Sequence, residues 1–153
     1  MTMFSKFVHR VIHKSCGLLL LPVILLTGCA VNSSNSGLYL SKNIDDSSKV
    51  ELIEKISSDA TEFLSWKYAP AKTQFDFEAH TNDEFGNALK AKLRKKGFSI
   101  SEKLSGGKIL TYLLDDNNTI VRLILSVDTT TYGKVYDVNG KNDYKWSVMR
   151  KGE

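Results

Sequence analysis

The chain has 153 residues and carries 21 lysines and arginines against 17 aspartates and glutamates, which gives a formal net charge of +4. Three of the basic residues, Lys6, Arg10 and Lys14, lie in residues 1–28, which contain no acidic residue. Without these three, 21 minus 3 leaves 18 basic residues against 17 acidic ones in residues 29–153. A nearly neutral chain lacks the basic surface that nucleic acid requires, so no direct nucleic-acid partner is expected.

Residues 1–29 have the layout of a secretory signal. The basic residues precede an apolar run over 17–26, and Leu26-Thr27-Gly28-Cys29 ends that run. A signal peptide combines a basic start, an apolar stretch of about 7–15 residues and small residues at the cleavage site. A membrane-spanning helix needs about 20 apolar residues, so the shorter run favours a signal over an uncleaved span.

The segment Leu26-Thr27-Gly28-Cys29 resembles the lipobox of bacterial lipoproteins. The resemblance implies that diacylglycerol is attached to the Cys29 sulfur, that the chain is cleaved after Gly28, and that the new amine is acylated. Stable anchoring normally needs two such lipid signals, and three acyl chains exceed that requirement. Ala30 follows the cysteine where an aspartate would indicate inner-membrane retention, so we expect the periplasmic face of the outer membrane.

Removal of the signal leaves material for one domain. Cys16 leaves with the signal and Cys29 carries the lipid, so the mature chain can form neither a disulfide nor a cysteine zinc site. The remaining length is enough for one hydrophobic core. We predict a removed signal over 1–28, a lipidated cysteine and flexible tether over 29–46, and a single periplasmic domain over 47–153.

An apolar group interrupts the tether. Leu38, Tyr39 and Leu40 follow a Ser- and Asn-rich stretch, whose composition is typical of a flexible linker. The three residues indicate either an arm partly buried against the domain or a motif that adds to the sheet edge of a partner. The first interpretation is favoured.

The domain is predicted to begin with a helix. Ser48 and Glu51 have the spacing of a capping box, with Ser48 as the cap. Pro70 cannot continue a helix, so the helix is predicted to end at about Trp66 or Tyr68. Apolar residues recur at steps of three and four, as one buried helix face requires. The predicted stripe is Val50, Ile53, Ile56, Ala60 and Phe63 or Leu64.

A half-buried strand and a second helix follow. The strand is predicted from strict alternation of apolar and polar residues. Thr81 and Glu84 form a second capping box, and Gly97 is the expected left-handed stop of the second helix. The strand alternates Thr73, Phe75, Phe77 and Ala79 with Gln74, Asp76 and Glu78, and the helix stripe is Phe85, Ala88, Leu89 and Leu93.

Four basic residues, Lys92, Arg94, Lys95 and Lys96, cluster where the second helix ends. Cations at this position complement the negative end of the helix dipole. The cluster is therefore either a solvated helix end or a patch for nucleic acid or anionic lipid. Its agreement with the glycine stop favours the solvated helix end.

Five strands are predicted after the second helix. They are centred on 98–100, 109–114, 119–127, 132–138 and 144–148. In the third of these strands the alternation places one apolar set on the core face. That set is Val121, Leu123, Leu125 and Val127, with Ile120 and Ile124 on the other face.

Two turn signals separate these strands. Asp115-Asp116-Asn117-Asn118 lacks the glycine and the later glutamate of a calcium loop, so a hairpin turn is favoured. Asn139-Gly140 is a second hairpin signal. The predicted order is α-β-α-β-β-β-β-β, an α+β two-layer sandwich with helices on one face of a mainly antiparallel or mixed sheet.

The terminal hairpin is rich in aromatic residues: Tyr132, Tyr136, Tyr144 and Trp146. They indicate either cross-strand packing or a face that docks a partner. Cross-strand packing is favoured.

Three segments in the middle of the chain carry a family resemblance. They are the Pro-Ala-Lys-Thr stretch at 70–73, the Asp-x-Phe-Gly-x-Ala-Leu helix at 83–89, and its Arg-x-x-Gly-aromatic ending at 94–98. Together with the lipobox, they make the chain similar to TrbH-type conjugal transfer lipoproteins over about residues 60–150. Ala69 stands where the family tends to have a second proline, a departure that affects only the turn.

The resemblance implies a component of a conjugative type IV secretion apparatus, near its outer-membrane core complex. It also implies other secretion and mating-pair-formation proteins as partners, beside the membrane that holds the lipid. The β-α-β core is similar, at the level of fold alone, to the small N0-type domains of secretins.

Catalysis finds no support in the sequence. His80 is the only histidine after the signal, and the mature chain offers no second histidine for a metal site and no Gly-x-Ser-x-Gly elbow. Gly106-Gly107-Lys108 lacks the spacing of a phosphate loop. We therefore expect a protein that is not an enzyme, with no catalytic, cofactor-binding or metal residues, and with Cys29 as its modified site. The alternative function is a free-standing periplasmic binding or inhibitor lipoprotein.

Overall fold

The computed structural model describes residues 36–41, 44–78, 81–138 and 144–150. These residues form two helices and a seven-stranded mixed sheet, so the predicted α+β class is confirmed. Compared with the structure, the predicted order of α-helices and strands omits only β1, the strand before the first helix. The elements are β1 (Gly37–Tyr39), α1 (Asp46–Lys67), β2 (Gln74–Phe77), α2 (Glu84–Lys95), β3 (Ser99–Ser101), β4 (Lys108–Asp116), β5 (Ile120–Val127), β6 (Thr130–Asp137) and β7 (Ser147–Arg150).

Strand β4 is the centre of the sheet. The strand order is β3-β2-β4-β5-β6-β7, in which β2 is parallel to β3 and β4, and β4 to β7 are antiparallel neighbours. Strand β1 lies parallel to the second half of β4, with Leu38 opposite Leu114. Strand β2 uses the first half of the same edge, with Phe77 opposite Leu110.

The arm interpretation of residues 38–40 is confirmed, because Leu38 and Leu40 are partly buried against the core. Strand β1 thus adds to the chain's own sheet. The Ser41 N–H and hydroxyl both donate to the Asp116 carboxylate, over 2.5 and 2.8 Å, which fixes the end of this arm to the end of β4.

Helix α1 begins one turn earlier than predicted. Asp45 is the N-cap, and its carboxylate accepts from the backbone N–H of Ser48 at 2.9 Å and from the Ser48 hydroxyl at 2.7 Å. A carboxylate near the positive end of the helix is a stronger acceptor than a serine hydroxyl, so the prediction of Ser48 as the cap was wrong. Val50 is 65% exposed, and the buried stripe begins at Ile53.

The predicted capping box of α2, with Thr81 as the cap, was also wrong. Asp83 is the N-cap of α2 and accepts from the Gly86 N–H at 2.7 Å, whereas the Thr81 hydroxyl donates to the carbonyl of Glu78. The stop of α2 is confirmed, because Gly97 has φ +95°.

The core lies between the helices and one face of the sheet. The alternation predicted for β5 is confirmed: its four core residues are at most 2% exposed, while Ile120 and Ile124 on the other face are half-buried. Asn118, with φ 70°, lies in the turn between β4 and β5, whereas Asn139 and Gly140 lie outside the described residues. The buried apolar residues are Ile53, Ile56, Ala60, Phe63, Leu64, Phe75, Phe77, Phe85, Leu89, Leu93, Phe98, Leu110, Tyr112, Leu114, Val121, Leu123, Leu125, Val127, Tyr132 and Tyr136.

Candidate functional site

The two residues that the sequence singles out for chemistry, Cys29 and His80, lie outside the described residues. Lipidation of Cys29 therefore stays a prediction. In the described ranges, no group of three or more His, Cys, Asp or Glu side chains is placed to hold a metal ion. None of the helices in those ranges is long and apolar enough to cross a membrane.

The two acidic residues at the end of β4 are fixed by an ion pair and hydrogen bonds within the protein. Asp115 forms a two-pronged ion pair with Arg122, with distances of 3.0 and 2.5 Å. Asp116 accepts from Ser41 and from the backbone N–H of Asn118. These contacts agree with the hairpin interpretation of this segment, because both carboxylates are used in fixing strands and the turn.

Asp76 is a buried carboxylate that the alternation of β2 did not reveal. It was placed on the polar face of a half-buried strand, yet it is 1% exposed. Its oxygens accept from the backbone N–H groups of Ser105 and Gly107 at 2.6 and 2.9 Å, and from the Gln74 amide at 2.8 Å. Backbone donation from Ser105 and side-chain donation from Gln74 lower the pKa of Asp76 to about 2. The carboxylate therefore orders the loop before β4.

A second polar contact joins α2 to the sheet. The Tyr112 hydroxyl on β4 donates to the Asp83 carboxylate at 2.7 Å. Burial, together with this hydrogen bond, raises the pKa of Tyr112. A Cβ atom on Gly86 would lie 2.3 Å from both the Thr81 carbonyl oxygen and the Tyr112 hydroxyl. Only glycine fits at this position, so these groups hold the helix start close to β4.

The basic cluster at the end of α2 is paired with acidic residues. Lys92 contacts Glu54 of α1, Lys96 contacts Glu62 at 2.5 Å, and Arg94 lies 3.6 Å from Glu102. These side chains keep between a fifth and a half of their surface exposed, as a solvated helix end requires. A cleft of about 270 Å³ between the helices is lined by Ser58, Thr61, Glu62, Lys92, Lys95 and Lys96.

Most of the aromatic residues of the last hairpin pack against α1. The Phe63 ring stacks on Trp146 with centroids 4.1 Å apart, and meets Tyr132 edge-on at 5.0 Å. Tyr136 is 4% exposed and donates to the Asp59 carboxylate at 2.6 Å. These residues are packed, but against α1 and not against aromatic residues across the strand pair, so the prediction of cross-strand packing was wrong about the partner. Tyr144 differs, because it is 45% exposed.

Apolar side chains nevertheless remain exposed at this end of the sheet. Trp66 is 76% exposed, Val148 56% and Met149 52%. Two buried rings lie between Trp66 and Val148. The ring centroids of Trp66 and Phe63 are 6.3 Å apart, Phe63 contacts Tyr132, and Val148 is the register partner of Tyr132. We call Trp66, Tyr144, Val148 and Met149 the β7 surface. The sequence contained these residues but no signal of their exposure, which depends on how α1 meets the last strand.

The described residues thus form a largely satisfied polar interior, in which the Ser36 hydroxyl lacks a hydrogen-bond partner, and expose the apolar side chains of the β7 surface. The chain matches the family described as conjugal transfer protein TrbH over residues 34–152. The match covers most of the chain, so the protein belongs to this family, and the resemblance read from the sequence is confirmed. Membership indicates a structural or assembly component of a conjugal transfer system and implies interaction with other proteins of that system. No curated protein sequence and no solved structure matches the chain at a significant level.

Proposed function

We propose that this TrbH family member is a lipid-anchored assembly component of a conjugative type IV secretion apparatus. In this proposal the acyl chains on Cys29 hold it to the periplasmic face of the outer membrane, near the core complex of the apparatus. The observation that carries the proposal is the family match over residues 34–152, which begins just after the lipobox-like segment 26–29.

The interior of the domain supports a structural role. Buried polar groups form hydrogen bonds within the domain. The Asp76 carboxylate accepts from the backbone of the loop before β4, and Lys90, 3% exposed, donates to Asn82 at 2.9 Å. Buried polar groups that are fully paired fix a single arrangement of the elements. Among the described residues the buried Ser36 hydroxyl is the exception, because it has no hydrogen-bond partner, so most groups that remain for contact with other molecules are on the surface.

The position of β1 limits how far the domain can lie from its anchor. Residues 30–36 separate Cys29 from the first residue of β1, Gly37. A fully extended chain spans at most about 3.3–3.6 Å per residue, so eight steps reach about 29 Å at most. The lipid would thus hold the start of β1 within about 29 Å of the membrane surface, which keeps the local concentration of the domain high beside a membrane-bound assembly.

The experiment that tests the proposal changes the modified cysteine. Cys29→Ser should abolish lipidation and leave an unprocessed precursor, because the acylated thiol is the substrate of lipoprotein processing. Cys16→Ser is the matched control, since it changes the other cysteine of the chain and should leave lipidation intact. Mass spectrometry of the mature N-terminus shows, for both variants, which residue is N-terminal and whether it carries lipid. An unmodified N-terminus at another residue would overturn the proposal of a lipid anchor on Cys29.

Complementation tests the role in the apparatus. A strain that lacks the gene should lose DNA transfer, and the full-length protein should restore it. The Cys29→Ser variant and a periplasm-targeted form without residues 1–29 should not restore it at native expression. Transfer that is unaffected by loss of the gene would overturn the assembly role.

A further inference from the structure

Strand β7 is a free edge of the sheet that carries exposed apolar side chains. Within the described residues it pairs with β6 alone, through Thr130 to Gly133. Val148 and Met149 point to opposite faces of the sheet, and each is more than half exposed. An unpaired edge presents backbone donors and acceptors that a strand from another chain can use.

The opposite edge of the sheet lacks these features. Strand β3 has three residues, Ser99–Ser101, and its side chains are Ser, Ile and Ser. Glu102, which follows it, forms ion pairs with Lys90 and Arg94. Short polar edges next to charged residues are a common protection against strand pairing. Of the two ends of the strand order β3-β2-β4-β5-β6-β7, only β7 therefore carries exposed apolar side chains.

Trp66 extends the β7 surface beyond the strand. It lies at the end of α1, on the side of the sheet that Val148 faces, because Val148 pairs with the buried Tyr132. The Lys67 ammonium lies 4.3 Å from the Trp66 ring. Tryptophan is enriched among the residues that contribute most to binding at protein interfaces. Phe63 lies 6.3 Å from Trp66 and stacks on Trp146, so Trp66 is on the helix side of the sheet, near the segment that leads into β7.

The charge of this edge selects the partner. Residues 144–150 contain Lys145 and Arg150 and no acidic residue. Lys67 and Lys145 form no ion pair within the described part of the chain. Because residues 144–150 contain no acidic residue, β7 of a second copy would bring no charge complementary to Lys145. An acidic strand would meet these cations with complementary charge.

On the basis of the function proposed above, we infer that β7 accepts an extended segment of another protein of the transfer system. This segment adds to the sheet beside β7, and its apolar side chains contact Trp66, Val148 and Met149. It also carries acidic residues, whose charge complements that of Lys67 and Lys145. Backbone pairing supplies affinity in this mode of recognition, and the side chains supply specificity.

Photo-crosslinking in cells tests the inference with the full-length lipidated protein. A photoreactive amino acid replaces Met149 in cells that carry all the other transfer genes, and Leu104 is the control position. Leu104 is 69% exposed but lies in the loop between β3 and β4. We expect the probe at 149, and not at 104, to crosslink one segment of one transfer protein, which mass spectrometry identifies by its acidic and apolar sequence.

A synthetic peptide of the crosslinked segment then measures binding to the purified protein. Trp66→Ala should weaken binding by about tenfold or more, as expected for an anchoring tryptophan. Lys145→Glu should weaken it by about fivefold and remove most of its salt dependence. The controls Leu104→Ala and Lys103→Glu, which change an apolar and a basic residue away from β7, should leave binding unchanged.

Several results would overturn the inference. Crosslinks at 149 only to a second copy, only to phospholipid, or in equal yield from 104 would each do so. Normal DNA transfer by the Trp66→Ala, Lys145→Glu double variant would overturn it and leave the proposed function standing, provided that loss of the gene abolishes transfer. Normal transfer without the gene would instead overturn the proposed function.

Discussion

The two sides of β4 are built by different means. On one side, β1 and β2 lie parallel to β4, and one or both helices separate them from it in the chain. On the other side, β5 to β7 follow in antiparallel order, with two-residue and three-residue turns between β4, β5 and β6. Parallel strands need long crossovers, whereas antiparallel strands need only a tight turn. The parallel side must therefore bring together residues that are distant in sequence.

Buried polar groups perform that task on the parallel side. Asp76 binds the loop before β4, and Asp83 binds Tyr112 of β4. The antiparallel side combines alternation and the ring stack of Phe63 and Trp146 with the buried Tyr136 hydroxyl, which donates to Asp59 of α1. Substitutions in these groups should therefore affect folding on the first side, whereas exposed residues of the second side are free to contact a partner.

The largest effect is expected at the close approach of α2 to β4. Gly86→Ala should destabilise the domain by about 3 kcal/mol, because the new Cβ would overlap a backbone carbonyl and the Tyr112 hydroxyl. Helix propensity alone predicts the opposite sign, since alanine is favoured over glycine by about 1 kcal/mol. Gly133→Ala on β6 is the matched control, with a nearest contact of 3.4 Å, and should change stability by less than about 1 kcal/mol. Chemical denaturation of both variants decides the sign.

The next effect is acid sensitivity through Asp76. Its pKa of about 2 in the folded protein is below the value of about 3.9 in an unfolded chain. Its contribution is therefore complete above about pH 4 and is lost as the pH falls toward 2. Asp76→Asn should lower the melting temperature at pH 6 and reduce its fall between pH 4 and 2. An unchanged pH profile would show that the buried carboxylate does not hold the loop.

A smaller loss is expected at the end of α2. Gly97 has φ +95°, which a β-branched residue adopts only with strain. Gly97→Val should therefore lower the free energy of unfolding by about 1–2 kcal/mol. Thermal denaturation measures the loss, and a melting temperature equal to that of the wild type would contradict a left-handed stop.

The smallest effect on stability is expected on the β7 surface. Trp66→Ala should change the free energy of unfolding by less than about 0.5 kcal/mol, because the side chain is 76% exposed. A large loss of stability would mean that Trp66 supports the ring stack of Phe63, and the contrast between the two sides of β4 would fail.

Patterns that are local in sequence predicted most of the fold. The stripe from Ile53 to Leu64, the alternation of β5 and the stop at Gly97 each depend on neighbouring residues, and each is confirmed. The family resemblance depended on motifs within a few turns of α2. It is confirmed by the family match over residues 34–152. Asp83, in one of these motifs, also accepts the hydrogen bond from Tyr112 that joins α2 to β4.

Features that depend on distant residues were missed. Asp83 replaces the predicted cap of α2, and its carboxylate also accepts from the Tyr112 hydroxyl, which lies 29 residues later. The error at the cap of α1 is different, because the Asp45 carboxylate accepts from its neighbours Ser47 and Ser48. The burial of Asp76 depends on Ser105, also 29 residues away. Exposure of Trp66 likewise follows from how α1 meets β7, which no local pattern specifies.

The pairing of β1 also has a consequence for the order of folding during export. Gly37 is opposite Leu113, so β1 can form its backbone hydrogen bonds only with residues about 76 positions later in the chain. If the chain emerges from its N-terminus onward, the residues beside Cys29 cannot be drawn into the sheet until β4 has also crossed the membrane. Closing so long a loop is entropically unfavourable before other contacts form. If Cys29 is lipidated during export, as proposed above, late pairing of β1 would leave it accessible to the lipid-transferring and cleaving enzymes.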